Sequence, residues 1–250
     1  MILVLAGTSD GRLIVQALAE KGKKVLACAA TPYGAALLEG CGAIEVTGRR
    51  LNGTEIGQLI DEKKVDLLVD ATHPYAQEIS SLAVEVCREK GIRYIRYQRP
   101  SSKVRESPLI HYAGSYESAA QKAAALGRVI FLATGSKTLG IFVAEAQSRG
   151  CRVIARLLPT SKELEKCFQF GLTPADVVAM QGPFSQELNV ALLRHYKADV
   201  LVTKDGGAPG GMEEKLNAAL ETGIPVVIVE RPTGLSGAAG SIKDLMKMID

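Results

Sequence analysis

Short apolar runs alternate along the chain with segments in which apolar side chains recur at helical spacing. The runs predict strands in the first half at Ile2–Ala6, Val25–Ala29 and residues 44–46, 67–69 and 94–97. They predict further strands in the second half at Val177–Ala179, Val226–Val229 and residues 129–133, 153–155 and 200–203. Regular alternation of strands and helices is typical of parallel β-α units, so we predict an α/β protein with mainly parallel sheets flanked by helices.

Three helices have clear signals of their own. Gln77–Lys90 carries apolar side chains at i, i+3, i+4 and i+7, and Gly91 follows where a C-cap is expected. A second helix begins at Asn52, whose side chain can cap the first turn while Glu55 reaches back to it. The last helix carries apolar side chains on one face, at Ile242, Leu245, Met246 and Ile249.

A polar stretch between residues 99 and 111 separates the two sets of strands. It contains Pro100 and Pro108 and shows little periodicity, as expected for a connection between domains. We predict a first domain at residues 1–100, a linker at residues 101–112 and a second α/β domain at residues 113–250.

Composition and charge narrow the class of partner. The chain has 250 residues, of which 47% are hydrophobic and 23% charged, as in ordinary globular proteins. Its net charge of +3, 5% aromatic content and lack of tryptophan argue against a nucleic-acid partner. No apolar stretch reaches the length of a membrane span, and the N-terminus enters a strand directly. We therefore predict a cytoplasmic protein with no membrane partner, and the oligomeric state is open.

The cysteines form neither a CxxC pair nor a group with histidine at ligand spacing. Their number is odd, which fits poorly with complete pairing: Cys28, Cys41, Cys87, Cys151 and Cys167. We expect buried thiols, no disulfide framework and no metal site.

A glycine-containing turn, Gly7-Thr8-Ser9-Asp10-Gly11, follows the first strand and precedes a helix. Backbone N–H groups and the positive end of a helix favour a pyrophosphate at such a turn. The spacing is not GxGxxG, so another phosphate ligand, or a tight turn that needs glycine for a positive φ, are alternatives. We predict that residues 7–10 of this turn bind a dinucleotide.

The segment after the second strand bears on the choice of cofactor. Dinucleotide-binding folds place there an acid for the ribose hydroxyls or an arginine for a 2′-phosphate. Residues 29–33 contain neither, and Thr31 is their candidate cofactor contact. The choice between NADH and NADPH is therefore open, and the missing arginine favours NADH.

The heptad DATHPYA, at residues 70–76, follows the fourth strand. Ligands bind at the carboxyl ends of strands in open α/β sheets, so Thr72 and His73 are candidate cofactor contacts. His73 can offer a proton or merely fix the loop by hydrogen bonds, and Tyr75 can equally be a packed ring.

Loops in the second half carry candidate substrate contacts. Ser136 and Lys137 follow a strand, but the upstream glycine of a triphosphate-binding loop is absent, which argues against a triphosphate ligand. The two side chains would instead suit a substrate carboxylate at the start of a helix. Ser185 precedes a helix, which it can also simply cap. Lys204 and Asp205 begin a glycine-rich loop. Its glycines can allow close approach of the backbone to a ligand, form a mobile lid or simply make a long turn.

Together these segments resemble the precorrin-6A reductase family of cobalamin biosynthesis. The matching motifs, in chain order, are LVLAGTSDGR, DATHPYA with ISSLA, RYQRP, FLATGSK, RLLP, QGPFS, TKDGG, EKLNAA and IPVVIVERP. They run from residue 3 to residue 232, and DATHPYA and GPFS are the most specific of them.

The resemblance implies two Rossmann-like domains with the active site in the cleft between them. It implies hydride transfer from NADH or NADPH to a conjugated double bond of the corrinoid precorrin-6A or its cobalt form, giving the 6B product, with protonation of the neighbouring carbon. It places His73 and Tyr75 on the catalytic side, with His73 as proton donor. It also implies that Ser136, Ser185 and Asp205 contact the substrate. Several cations would bind the substrate carboxylates: Arg96, Arg99, Lys103, Arg105, Lys137, Arg156 and Lys204.

Three positions depart from the family pattern. Asp10 stands where the turn more often has glutamate, which preserves the charge. Gly206 stands where serine is frequent, so one hydroxyl contact to the substrate is in doubt. No basic residue follows the second strand, which fits the oxygen-independent branch and favours the cobalt-containing substrate.

Two other functions compete with a reductase. A short-chain dehydrogenase would need a YxxxK pair, and no tyrosine here has lysine four positions later. A non-catalytic nucleotide-sensing or ligand-binding module would need an output element such as a winged helix, and we find no such pattern. Binding of NADH without turnover of a reducible tetrapyrrole would favour that module.

Overall fold

A computed structural model describes residues 1–100, 106–207, 210–231 and 237–250. Strands and helices alternate along these residues, and the pairings between the named strands are parallel. The chain divides into two compact units, Met1–Pro100 with Thr233–Asp250, and Ser101–Pro232. The predicted α/β class is confirmed, with one sheet in each unit.

The first unit contains a five-stranded sheet with the order β3-β2-β1-β4-β5. Its strands are β1 (Ile2–Ala6), β2 (Val25–Ala29), β3 (Glu45–Gly48), β4 (Leu67–Ala71) and β5 (Arg93–Arg96). The helices between them are α1 (Ser9–Glu20), α2 (Pro32–Ala36), α3 (Gly53–Lys63) and α4 (Gln77–Lys90). Alternate residues of β1 enter different hydrophobic clusters, Val4 in one and Leu3 in the other, because both faces of this parallel sheet are covered.

The second unit contains a six-stranded sheet with the order β6-β11-β10-β7-β8-β9. Its strands are β6 (Ile110–Ala113), β7 (Val129–Leu132), β8 (Arg152–Leu157), β9 (Val177–Ala179), β10 (Val200–Lys204) and β11 (Val226–Val229). The helices are α5 (Tyr116–Leu126), α6 (Leu139–Ser148), α7 (Ser161–Gln169), α8 (Gln186–His195) and α9 (Met212–Thr222). Strand β6 begins inside the predicted linker, which was therefore too long. The sequence does not predict this edge strand, because His111 and Tyr112 interrupt its apolar pattern.

The last helix, α10 (Ile242–Ile249), has the predicted apolar face but belongs to the first unit. Its Leu245 packs in the same core as Val4 of β1. Ala239, just before the helix, bridges to Tyr97 in parallel register. The predicted second domain, residues 113–250, was thus wrong at its C-terminal end, because an apolar helix face does not specify which sheet it covers.

Local signals predicted the helix ends well. Gly91 caps α4 in the left-handed conformation, with φ 66° and ψ 26°. The side chain of Asn52 accepts from the Glu55 amide at 2.9 Å, and the Glu55 carboxylate accepts from the Asn52 amide at 2.8 Å, as the capping box requires. Among the helices of the described residues, none is both long and apolar enough to cross a membrane.

The cysteines are free thiols. Cys28, Cys87 and Cys167 are buried, but Cys41 and Cys151 are half-buried, so the expectation of burial was wrong for these two. Burial raises the pKa of Cys28 and of Cys87 to about 11, because a thiolate is poorly solvated in the core.

Candidate functional site

The strand order of the first unit reverses between β1 and β4. The chain moves outward from β1 through β2 to β3 and then returns to the other side of β1 with β4. The loops after β1 and β4 therefore diverge and leave a crevice at the carboxyl edge, where open α/β sheets bind ligands. The turn at residues 7–11 and the heptad at residues 70–76, both singled out from the sequence, follow these two strands.

Both glycines of the turn lie near neighbouring backbone, and close approach explains the glycine at position 11. A Cβ atom on Gly11 would lie 2.8 Å from the Cα of Ala6, so α1 packs on β1 at a distance that only glycine allows. A Cβ atom on Gly7 would lie 3.4 Å from the Cα of Thr72, so the first residues after β1 and β4 are in contact before the two loops diverge. Neither glycine has a positive φ, so the alternative of a turn that needs glycine for its dihedral angles was wrong.

The N-terminus of α1 presents hydrogen-bond donors. Thr8 caps the helix, because its hydroxyl accepts from the Gly11 amide at 3.3 Å, and it donates to the carbonyl oxygen of Ala71 at 3.3 Å. The main-chain N–H groups of Ser9 and Asp10 find no acceptor among the described residues. Such first-turn donors, at the positive end of a helix, favour an anion.

The carboxylate of Asp10 pairs with the guanidinium of Arg99 at this same helix end. The pairing offsets a negative charge that would otherwise repel a bound phosphate. Arg99 was predicted to contact substrate carboxylates, and the structure instead engages its side chain with the turn.

A buried ion pair anchors the loop after β4. Asp70 is fully buried, pairs with Arg96 at 2.5 Å and accepts from the Tyr94 hydroxyl at 2.8 Å. The Thr72 hydroxyl donates to Asp70 at 2.7 Å and accepts from Arg96 at 2.8 Å. Burial and the nearby Asp70 charge raise the pKa of Tyr94, so its hydroxyl remains a donor. Arg96 is only 5% exposed and is not available to a substrate carboxylate, contrary to the prediction.

His73 and Tyr75 lie next to each other in this loop. Their ring centroids are 5.5 Å apart, and the Tyr75 amide donates to Nδ1 of His73 at 3.4 Å. A neutral imidazole that accepts at Nδ1 carries its proton on Nε2. A Cβ atom on Gly7 would lie 3.5 Å from the His73 amide nitrogen, so the main chain of His73 lies beside the glycine turn.

Thr31, the remaining predicted cofactor contact, follows β2. Its hydroxyl caps α2 by accepting from the Gly34 amide at 3.0 Å. The residue is exposed at the carboxyl end of the sheet, and its contact with a cofactor stays a prediction.

The second sheet has its own reversal, between β7 and β10. The chain passes from β7 to β8 and β9 on one side and returns with β10 on the other. Lys137 lies in the segment after β7, and Lys204 is the last residue of β10. Burial and the charge of Lys137 lower the pKa of Lys204, so the two ammonium groups lie within electrostatic reach at one edge of this sheet.

Three predicted substrate contacts have partners within the second unit. The buried Ser136 donates its hydroxyl hydrogen bond to Glu163. Asp205 pairs with Arg231 at 3.0 Å. Ser185 caps α8. These bonds support the loops, and contact of the three side chains with a substrate stays a prediction.

The comparison with known proteins agrees with the resemblance noted from the motifs. Residues 1–250 match the family described as precorrin-6x reductase CbiJ/CobK. The chain belongs to this family. A cobalt-precorrin-6A reductase of Methanothermobacter thermautotrophicus is 39% identical over 98% of this chain and 82% of its own length. A cobalt-precorrin-6A reductase of Priestia megaterium is 38% identical over 93% of this chain and 91% of its own.

A solved structure, CobK precorrin-6A reductase, shares the fold. Its TM-score is 0.77 at 24% identity, and the match covers 99% of this chain and 95% of that one. The arrangement of two mainly parallel sheets is therefore that of the CbiJ/CobK family.

The second unit of this family member also holds a buried lysine that was not among the predicted site residues. Lys215 of α9 is 7% exposed and donates to the carbonyl oxygen of Gly210 at 2.9 Å. Burial, together with the charges of Arg156 and Lys204, lowers the pKa of Lys215 to about 7. The available signal was its position on the inner, apolar face of the helix, next to Leu216.

Arg156 lies on β8 in the same unit. It is 7% exposed, donates to Oδ1 of Asn189 at 2.7 Å and lies 4.3 Å from the ring centroid of Phe184. Burial lowers its pKa to about 10. No carboxylate in the described part of the chain pairs with it, so this CbiJ/CobK-family chain keeps a buried positive charge near the carboxyl edge of its second sheet.

Two of the predicted substrate cations, Lys103 and Arg105, lie outside the described residues. Within the residues that are described, no three His, Cys, Asp or Glu side chains are grouped as a metal site.

Proposed function

We propose that this chain reduces a conjugated double bond of cobalt-precorrin-6A with hydride from a reduced nicotinamide cofactor, forming cobalt-precorrin-6B in corrin-ring biosynthesis. Membership of the reductase family supports the reaction class. The relatives at 39% and 38% identity are named for the cobalt-containing substrate, which supports that form over the metal-free one. The reaction uses a small-molecule substrate and cofactor, and we propose that it takes place in the cytoplasm.

The observation that carries this proposal is the reversal of strand order between β1 and β4, which places the start of α1 at the carboxyl edge of the first sheet. The main-chain donors of Ser9 and Asp10 suit a diphosphate at the start of α1. Gly11 lets α1 approach β1, which is the role of the last glycine in dinucleotide-binding turns. These residues fit the diphosphate of a nicotinamide dinucleotide, and the cofactor, when bound, supplies the hydride.

The residues after β2 favour NADH when considered by themselves. Residues 29–33 contain no arginine, and Thr31 offers only a hydroxyl, which already caps α2. A hydroxyl can reach an uncharged ribose but does not neutralise a phosphate.

We assign to His73 the proton that joins the carbon next to the hydride acceptor. Its Nε2 carries the proton because Nδ1 accepts from the Tyr75 amide. The Tyr75 ring packs against the imidazole and limits its rotation. The Asp70–Arg96 pair holds the main chain of the loop, since Arg96 donates to the carbonyl oxygens of Thr72 and His73.

Cations of the second unit would orient the substrate through its carboxylates. Lys137 is exposed, and Lys204 lies within its electrostatic reach at the same sheet edge. Charge-assisted hydrogen bonds to several acetate and propionate groups would hold the macrocycle in one orientation.

Anaerobic incubation with cobalt-precorrin-6A tests the proposal. The absorbance of the macrocycle and of NADH or NADPH is followed together, and we expect both to change with equal stoichiometry. Cofactor binding without turnover, on either the cobalt or the metal-free substrate, would favour a nucleotide-sensing module instead. Turnover on the metal-free substrate alone would contradict the choice of the cobalt form.

A further inference from the structure

Two buried cations of the second unit have no carboxylate partner among the described residues. We propose that Arg156 and Lys215 form a buried site for one carboxylate group, and that Lys215 takes up a proton from the solvent when the carboxylate enters. The site itself is independent of the proposed reaction. Its occupant can be an acetate or propionate side chain of the substrate, which rests on the proposed function, or a free small carboxylate.

The guanidinium of Arg156 is held in place but largely without acceptors. Arg156 is 7% exposed and donates to Oδ1 of Asn189 at 2.7 Å. Asn189 is itself fixed, because its side-chain amide donates to the carbonyl oxygen of Ser185 at 2.7 Å. A guanidinium has five N–H donors, and within the described part of the chain this one meets no other acceptor. Oriented, buried donors of this kind suit a carboxylate, which can accept two of them side by side.

Lys215 lies near the N-terminus of α9, where a positive charge is unfavourable. The helix dipole is positive at this end. Gly211, the N-cap residue, has no side chain with which to accept from the first N–H groups. The Lys215 amine donates to the carbonyl oxygen of Gly210 at 2.9 Å, and none of the carboxylates in the described ranges pairs with it. The amine and the helix end therefore both favour an anion.

The charges that act on Lys215 show that the two cations share one location. After burial, the charge of Arg156 has the largest influence on the pKa of Lys215, and Lys204 lowers this pKa further. Glu214 of the same helix acts in the opposite direction and has the smallest effect. Helix α8, which also packs on α9, contributes the uncharged Asn189 to this side. The site therefore stays positively charged until an anion enters it.

The site lies close to the protein surface. Gly210, whose carbonyl oxygen the Lys215 amine reaches, is exposed. No described atom lies within 4 Å of the position that a Cβ atom on Gly210 would take. A small carboxylate can therefore approach the amine from this side without opening the hydrophobic core.

The protonation of Lys215 depends on whether an anion is present. Burial and the neighbouring cations lower its pKa to about 7, so the amine is mostly neutral in the free protein above this pH. A carboxylate beside it favours the ammonium form and raises the pKa again. Binding above pH 7 therefore takes up a proton, and the affinity for a carboxylate should fall by up to about tenfold for each pH unit.

Binding of propionate to the full-length chain tests the site. Its dissociation constant is obtained between about pH 6.5 and 9 from the gain in stability to urea, with sodium chloride holding the ionic strength constant. We expect the constant to rise with pH for the unchanged protein. Lys215→Met should bind propionate at least about tenfold more weakly at neutral pH and without this pH dependence. Lys162→Met, an exposed lysine on α7, is the matched control and should behave as the unchanged protein.

Calorimetry measures the proton directly and needs no variant. Titration of the unchanged protein with propionate in two buffers of different ionisation enthalpy should show uptake of about one proton per site near pH 8. Propionate that stabilises the protein no more than chloride does, or that binds without proton uptake, would overturn the inference and leave the proposed reductase function in place.

The KM of cobalt-precorrin-6A distinguishes the two sources of the carboxylate. If a substrate side chain occupies the site, KM rises with pH in the unchanged protein and in Lys162→Met, but much less in Lys215→Met. Parallel KM profiles, together with the expected propionate binding, would assign the site to a free carboxylate. The expected propionate binding without any reduction of cobalt-precorrin-6A would overturn the proposed function alone.

Discussion

Arg96 pairs with Asp70 in the interior of the first unit, with 2.5 Å between a guanidinium nitrogen and a carboxylate oxygen. Both side chains are buried, so each charge depends on the other for the solvation that water would supply. Arg96 also donates to the carbonyl oxygens of Thr72 at 3.1 Å and His73 at 3.4 Å. The pair thereby connects β5 to the loop that bears the proposed proton donor.

Arg96→Met is expected to destabilise the protein by about 3–5 kcal/mol, because it leaves the Asp70 charge buried without a partner. Urea denaturation measures the change in the free energy of unfolding. Arg88→Met, on the exposed face of α4, should change it by less than about 0.5 kcal/mol. Adding Asp70→Asn to Arg96→Met should recover part of the loss; a loss no larger than that of the control would contradict the argument.

Gly7→Val is expected to abolish dinucleotide binding, and Gly7→Ala to weaken it less. The first Cβ atom would stand at ordinary contact distance, 3.4 Å from the Cα of Thr72, whereas the branched methyl groups of valine would press into the loop at residues 72–73. Titration with NADH and NADPH measures the binding, and circular dichroism checks that each variant is folded. Unchanged affinity in a folded Gly7→Val variant would refute the placement of the site.

His73→Ala is expected to lower kcat by about 100-fold while the affinity for the cofactor changes little, because a positioned proton donor acts in the chemical step. Single-turnover rates of macrocycle reduction measure the effect. Tyr75→Phe retains the ring that packs on His73 and serves as the comparison, with a much smaller expected loss. A rate for His73→Ala close to that of the unchanged protein would remove His73 from the mechanism.

Lys204→Ala is expected to raise KM for the corrinoid substrate about tenfold and to leave the dissociation constant of the cofactor unchanged. The reason is the loss of a charge-assisted hydrogen bond to a substrate carboxylate. Steady-state kinetics measure KM, and Lys162→Ala, an exposed lysine on α7, is the control. An equal KM for the two variants would show that Lys204 does not contact the substrate.

Stability is expected to depend on pH through Lys215. Burial lowers its pKa to about 7 from an ordinary value of 10.5, so between these pH values the unfolded chain binds more protons than the native protein. The free energy of unfolding should therefore rise with pH across this window, by up to about 1.4 kcal/mol per pH unit. Below pH 7 Lys215 is charged in the native protein, and the full cost of burying that charge lowers the stability.

Lys215→Met should remove this contribution, because methionine has a similar length and no charge. Urea denaturation at several pH values between about 6 and 10 measures the difference between the two proteins. The variant is expected to gain stability mostly at the acidic end. Parallel pH profiles for the two proteins would contradict a lowered pKa of Lys215.

The amino-acid sequence by itself determined the elements whose signals lie within a few residues. Local patterns correctly predicted the capping box of Asn52 and Glu55, the glycine that ends α4 and the positions of most strands. The turn at residues 7–11 and the heptad at residues 70–76 were also placed correctly after the first and fourth strands. Hydrogen bonds and steric limits over one or two turns are encoded locally, and local patterns therefore suffice for them.

Only the tertiary structure decided which elements are neighbours and which charges are buried. It placed α10 in the first unit and engaged Arg96 with Asp70. Periodicity shows that a helix or strand has an apolar face, but the partner of that face is selected by packing between residues far apart in the chain. The burial of a charge depends on the same long-range contacts, so no local pattern could distinguish the buried Arg96, which supports a loop, from an exposed arginine such as Arg88.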